Sequence, residues 1–157
     1  MKCMDVTMPM VLIGALLVAS CASAKGRPQA LMSFVGAGQP SSVEIVAPPI
    51  SQTGHIAWLR AQEVALDKLR IISAFSATLF EDVDGNEQFN DGDRRLDYCY
   101  GTTELPSSFI EVSGLQVPPG VQVSRVRVLA EVRTTLGTQT TVLGGGAEGS
   151  TPHVRGG

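Results

Sequence analysis

"RIISAFSATLFE", residues 70–81, is the stretch that decides the fold. Ile71, Phe75, Ala77 and Leu79 fall on one side at period two, with Ser76 and Thr78 opposite, which is the alternation of a β-strand and not of a helix. Neither Gly nor Pro interrupts it, as the interior of a sheet requires. The preceding segment, "HIAWLRAQEVALDKL", is open to two readings. Its Ala, Leu, Gln, Glu and Lys content favours a helix over 56–69. Ile56, Trp58 and Leu66 equally admit a strand closed by "LDK" as a turn, and the unmistakable strand that follows tips the reading toward strand.

Further strands are expected on both sides. "SVEIVAP" alternates Val43 and Ile45 against Glu44 and is stopped by the Pro-rich "PPISQTG". "RRLDYCYGT" is a short candidate, and "SFIEVSGLQVP" sets Ile110 and Val112 against Phe109, Glu111 and Ser113. After the turn "PPG", the run "VQVSRVRVLAEVRTTLG" sets Val121, Val123, Val126, Val128 and Ala130 against Gln122, Arg127 and Glu131. Its parity changes between Val123 and Val126, which predicts a bulge or bend near Ser124 and Arg125. "TQTTVLGG" reads as a last edge strand. Six to seven strands between Gly and Pro turns, with no firm helix, predict an all-β sandwich over 43–142.

Composition narrows the function classes. The 157 residues suit one domain with accessory segments, and 17 Gly and 9 Pro with 5% aromatic residues suit a turn-rich domain. A net charge of −3 without a basic cluster argues against a phosphate-tracking nucleic-acid binder. Cys3 and Cys21 belong to the leader, so Cys99 has no partner for an intramolecular disulfide within the domain and is expected as a small buried hydrophobe on a strand.

Residues 1–20 carry Lys2 and the apolar run "VLIGALLVAS", too short to span a bilayer comfortably, and are expected to be a signal peptide. "VASC", ending at Cys21, looks like the lipobox of bacterial lipoproteins, where the Cys is lipidated and anchors the chain to the membrane. Ala22-Ser23-Ala24 offers simple cleavage as the alternative. Residues 21–42, rich in Gly, Pro and Ser, are expected as a flexible tether, and 143–157 as a Gly-rich disordered tail.

The acidic surplus is concentrated in "DVDGNEQFNDGD", Asp82 to Asp93. Calcium takes six to eight oxygens spaced along a wrapping loop, and an EF-hand loop supplies them from positions 1, 3, 5, 7, 9 and 12. Here those positions hold Asp82, Asp84, Asn86, Gln88 (through its carbonyl), Asn90 (through water) and Asp93. Phe89 is placed to pin the loop to a core. Glu87 stands where the sharp turn normally takes Gly, and Asp93 replaces a longer Glu, so a weaker site, or one tolerant of magnesium, is expected. An ion-free acidic loop rich in Asx turns is the plainer alternative.

"LFEDVDGNEQFNDGDRRL" resembles the acidic-loop segment of bacterial extracellular Ig-like β-sandwich modules, and "FIEVSGLQVPPGVQVSRVRVLAEV" is similar to their strand, turn and long Val-rich strand. "DKLRIISAFSATLFED" corresponds to the strand that delivers the loop, so the resemblance covers roughly residues 43–142. It implies that Asp82, Asp84, Asn86 and Asp93 are cation ligands, and that the ion braces an inter-strand loop and runs no chemistry. A non-catalytic role in cell-envelope structure or adhesion is the expectation. A calcium-responsive module binding a protein or glycan is the alternative.

An enzyme is the minority reading. His55 and His153 are the only histidines, and neither a nucleophile elbow, a zinc motif nor a phosphate loop is present. His55 is expected as an exposed turn residue, although a small hydrolase would need it as a base. Trp58 is expected in the core, and no exposed aromatic stripe is expected.

Overall fold

The computed structural model describes residues 26–144 apart from 37, 39, 49–53, 66 and 67. The leader with Cys3 and Cys21, His153 and most of the expected tail lie outside the described residues. Eight strands follow in order: β1 (Arg27–Val35), β2 (Pro40–Ala47), β3 (His55–Glu63), β4 (Ile72–Glu81), β5 (Arg94–Ser107), β6 (Phe109–Gln116), β7 (Val126–Thr134) and β8 (Gly137–Leu143). They form two antiparallel four-stranded sheets, ordered β1-β2-β3-β6 and β5-β4-β7-β8. The domain is thus an all-β sandwich with no α-helix among the described residues.

The period-two alternation of residues 70–81 builds the core. β4 is central in its sheet, and Phe75, Ala77 and Leu79 are fully buried against Met32, Phe34, Ile45 and Leu59 of the facing sheet. Val126, Val128, Ala130 and Val132 of β7 add the next inward row. Burying apolar area is the main favourable term in folding, so these inward rows hold the sheets together. Ile110 and Val112 point inward on β6 as expected, whereas Phe109 is half-exposed.

Four expectations need correction. The stretch taken as a tether enters the sandwich at Arg27, because Ala30, Met32 and Phe34 alternate inward along β1 with 4% or less exposure. Pro28 lies within β1 itself and Pro40 opens β2. β1 raises the count to eight, and the sandwich runs to Leu143, itself buried at the end of β8. The bend expected near Ser124 and Arg125 is present as a single 3₁₀ turn, Val123–Arg125, but the strand starts only after it, so Val121 and Val123 are not part of its inward row. His55 is the exposed first residue of β3 and not a turn residue.

Trp58 is the fourth. It lies half-buried on the outer face of β3, with the Arg60 guanidinium 5.4 Å from its ring and 5.5 Å from that of Phe109. Arg60 also donates to Glu111 across the β3–β6 pair at 2.7 Å, so the aromatic rings flank a surface ion pair.

The crossover from β3 to β4 is tied by Glu63, which is buried and accepts the backbone N–H groups of Arg70 and Ile71 at 3.1 and 3.0 Å. Arg70 there adopts φ +55°, a left-handed conformation that a non-glycine residue holds only when its surroundings impose it. Cys99 faces the core from β5, paired with Ala77. Burial pushes its thiol pKa up from 9.0 to about 11, with Asp97 adding to the effect and a hydrogen bond with the Ala77 backbone opposing it. A thiol so little ionised is an inert packing residue.

Candidate metal centre

The acidic loop joins β4 to β5, two neighbouring strands, and so closes a hairpin at one end of the sandwich. Asp82 follows directly on β4 and Asp93 directly precedes β5, so the sheet itself brings the two ends of the loop together. The Asp82 N–H donates to the Arg125 carbonyl at 2.9 Å, which ties the loop to the turn before β7. Phe89 folds back over the outer face of β4, its ring 5.1 Å from that of Phe80 in an edge-to-face arrangement. Phe80 is fully buried beneath it, and this is the pinning expected of an apolar residue at that position.

Three of the six expected ligands converge. Carboxylate oxygens of Asp82, Asp84 and Asp93 all lie within 4.8 Å of one another, a cluster that can hold a metal ion. Asp82 is 1% exposed, Asp84 exposed and Asp93 half-buried, so the cluster opens to solvent on one side only.

The loop also organises itself through these groups. Asp82 accepts the N–H of Asn86 at 3.1 Å and of Glu87 at 3.0 Å, one on each oxygen. Asp93 likewise accepts Val83 N–H at 3.1 Å and Asn90 N–H at 2.8 Å. Asn86 and Asn90 turn their amide nitrogens toward Asp84, at 2.7 and 3.1 Å. Their side-chain oxygens are committed to the backbone N–H groups of Gln88 and Gly92, at 2.7 and 2.8 Å. In this arrangement the two asparagines donate to the cluster, and a cation would need their oxygens turned inward.

Glu87 adopts φ +58°, and Gly85 φ +72°. The sharp turn expected at this position of the loop is therefore present, made by a residue with a β-carbon at a cost of about 1–2 kcal/mol. Glu87→Gly is accordingly expected to raise the melting temperature by about 2–4 °C, the left-handed strain outweighing the greater chain entropy of Gly. An unchanged or lowered melting temperature by calorimetry would show that Glu87 contributes more through its side chain than the turn costs.

Sequence reasoning missed two features. Arg127 lies behind the loop, its Nε 4.0 Å from Asp82 Oδ2 and its Nη2 3.8 Å from Glu87 Oε1. No spacing along the chain signals this, since β4–β7 pairing alone sets Arg127 opposite Phe80. Tyr98 and Tyr100 are both about half-exposed on the outer face of β5, beside Thr78 and Ser76, contrary to the expectation of no aromatic stripe. The signal was the inward Cys99 between them: period two sends both tyrosines outward. Comparison with protein-family models, with curated proteins and with solved structures returned no match for this chain.

Proposed function

We propose that this chain is a non-catalytic, exported Ig-like module of the bacterial cell envelope whose acidic loop holds a structural calcium ion. The observation that carries the reading is the convergence of Asp82, Asp84 and Asp93 in a loop that already has a left-handed turn at Glu87. The choice of calcium rests on the EF-hand-like spacing of oxygen-bearing residues along the loop, since calcium takes six to eight oxygens in a flexible shell where magnesium demands a strict octahedron. Asn86 and Asn90 with amides turned, the Gln88 carbonyl and water would complete its shell.

The Ig-like assignment draws support from the order of the sheets. β3 pairs with β6 and β4 with β7, so successive strands cross between the layers in the manner of Greek-key sandwiches. Export and the lipid anchor rest on the "VASC" segment, and the intact mass of the mature N-terminus is expected to show a lipidated Cys21. An unmodified chain starting at Lys25 would replace the anchor by simple secretion.

Calorimetric titration with calcium and melting with and without chelator test the loop. Binding heat and a melting temperature at least several degrees higher with calcium are expected, since a ligand at a hundred times its Kd adds about 2.7 kcal/mol. No heat and no shift would reduce the loop to a self-bonded hairpin connection.

A second reading, a calcium-responsive module for a protein or glycan, is favoured by Tyr98 and Tyr100, whose rings stand on an open sheet face. Partner binding that survives chelation would decide for the structural role.

A further inference from the structure

Arg127 extends from β7 under the acidic loop and is only 17% exposed. Its Nη1 donates to the carbonyls of Ser124 and Val126, at 2.8 and 3.1 Å, which pins the guanidinium to the turn before β7. Nε is fully buried and has no hydrogen-bond partner among the described residues. It faces Asp82 Oδ2 at 4.0 Å, too far for a hydrogen bond and near enough for strong attraction in a site shielded from water.

Asp82 needs such a charge. It is 1% exposed and stands within 4.8 Å of two further carboxylates, and a buried carboxylate is tolerated only when paired or bonded. Its two backbone N–H donors supply dipoles but no net charge. Arg94, near the same end of the hairpin, reaches Glu81 at 3.5 Å from an exposed position. Arg127 therefore approaches the cluster from the protein side, while the opening to solvent lies on the side of the exposed Asp84.

We propose that Arg127 is the built-in counter-cation of the acidic loop. It keeps the loop folded when no ion is bound and, standing beside Asp82, it weakens the loop's hold on the divalent cation. This rests on the cation reading above and deepens it: the site is set for loose, exchangeable occupancy, not for permanent retention. The guanidinium and the ion share one carboxylate, so each lowers the attraction available to the other.

The test compares wild type with Arg127→Met and Arg127→Gln, by calorimetric titration with calcium chloride and by melting in chelator. Both variants are expected to melt lower than wild type in chelator, to bind calcium about tenfold more tightly, and to recover most of the lost melting temperature at saturation. A residue that merely covers Phe80 would lower the melting temperature without tightening calcium. If wild type binds calcium and a folded variant binds it no more tightly, the counter-cation role is overturned while the metal site stands. If wild type gives no heat and the variants bind, Arg127 is upheld and occupancy of the native loop is overturned. No heat from any of the three overturns both. Should Arg127→Met fail to fold, Arg127→Gln, which keeps a polar side chain under the loop, carries the comparison.

Discussion

Asp82→Ala is expected to cost about 3–4 kcal/mol even in chelator, although the residue lies in a loop and carries a charge. Its carboxylate accepts the N–H groups of Asn86 and Glu87 and balances the largely covered Arg127. Alanine would leave the Glu87 N–H without its acceptor, reduce the Asn86 N–H to its bond with Asp84, and remove the carboxylate that Arg127 Nε faces, and each buried group so orphaned costs about 1–3 kcal/mol. Asp84→Ala, at an exposed position of the same cluster, is expected to cost under about 1 kcal/mol without calcium. Urea denaturation separates the two, and faster hydrogen exchange at the Asn86 and Glu87 amides would mark the mechanism. Equal losses for the two substitutions would mean that the loop is held by something other than Asp82.

Phe75→Ala is expected to be more damaging still, at about 3–5 kcal/mol, the range for deleting a fully buried aromatic ring. Phe75 has no exposed surface and sits on β4 between Gly101 of β5 and Val132 of β7. A typical domain is stable by only about 5–15 kcal/mol, so this single change would bring the sandwich near its unfolding threshold. Phe109→Ala serves as the contrast: at 51% exposure its ring is expected to contribute about 1 kcal/mol or less, chiefly through its contact with Arg60. The denaturation midpoint should fall sharply for the first and barely for the second, with little change in slope.

How much of this was legible depends on how each signal is written along the chain. β4 announces itself because small polar residues separate its apolar ones. β3 does not, because its Ala, Gln and Glu suit either structure, and because the buried residues shift from Ile56 to Leu59 and Ala61, out of strict alternation. β1 was hidden by its own exterior: Leu31 and Val35 are apolar yet 51% and 80% exposed, which blurs the inward row of Ala30, Met32 and Phe34. In the loop, the carboxylate spacing and the pinning Phe89 are local facts and could be read directly. The orientation of the Asn86 and Asn90 amides follows from hydrogen-bond competition in three dimensions. Arg127, forty-five residues beyond Asp82, reaches the site only through the sheet.

The sheet order has a consequence in time. β1–β2, β2–β3, β4–β5 and β7–β8 pair consecutive strands, whereas β3–β6 and β4–β7 bring together segments far apart in the chain. Pairings of the second kind bear the larger entropy of closure and make such sandwiches slow folders, in milliseconds to seconds. The acidic loop works against that delay, because its hydrogen bonds run mostly between residues within five positions of one another and need no distant strand to form. A β4–β5 hairpin that closes early would present Phe75, Ala77 and Leu79 as a ready template on which β7 can dock. The twelve residues from Asp82 to Asp93 would then govern the speed of assembly as well as the strength of the finished domain.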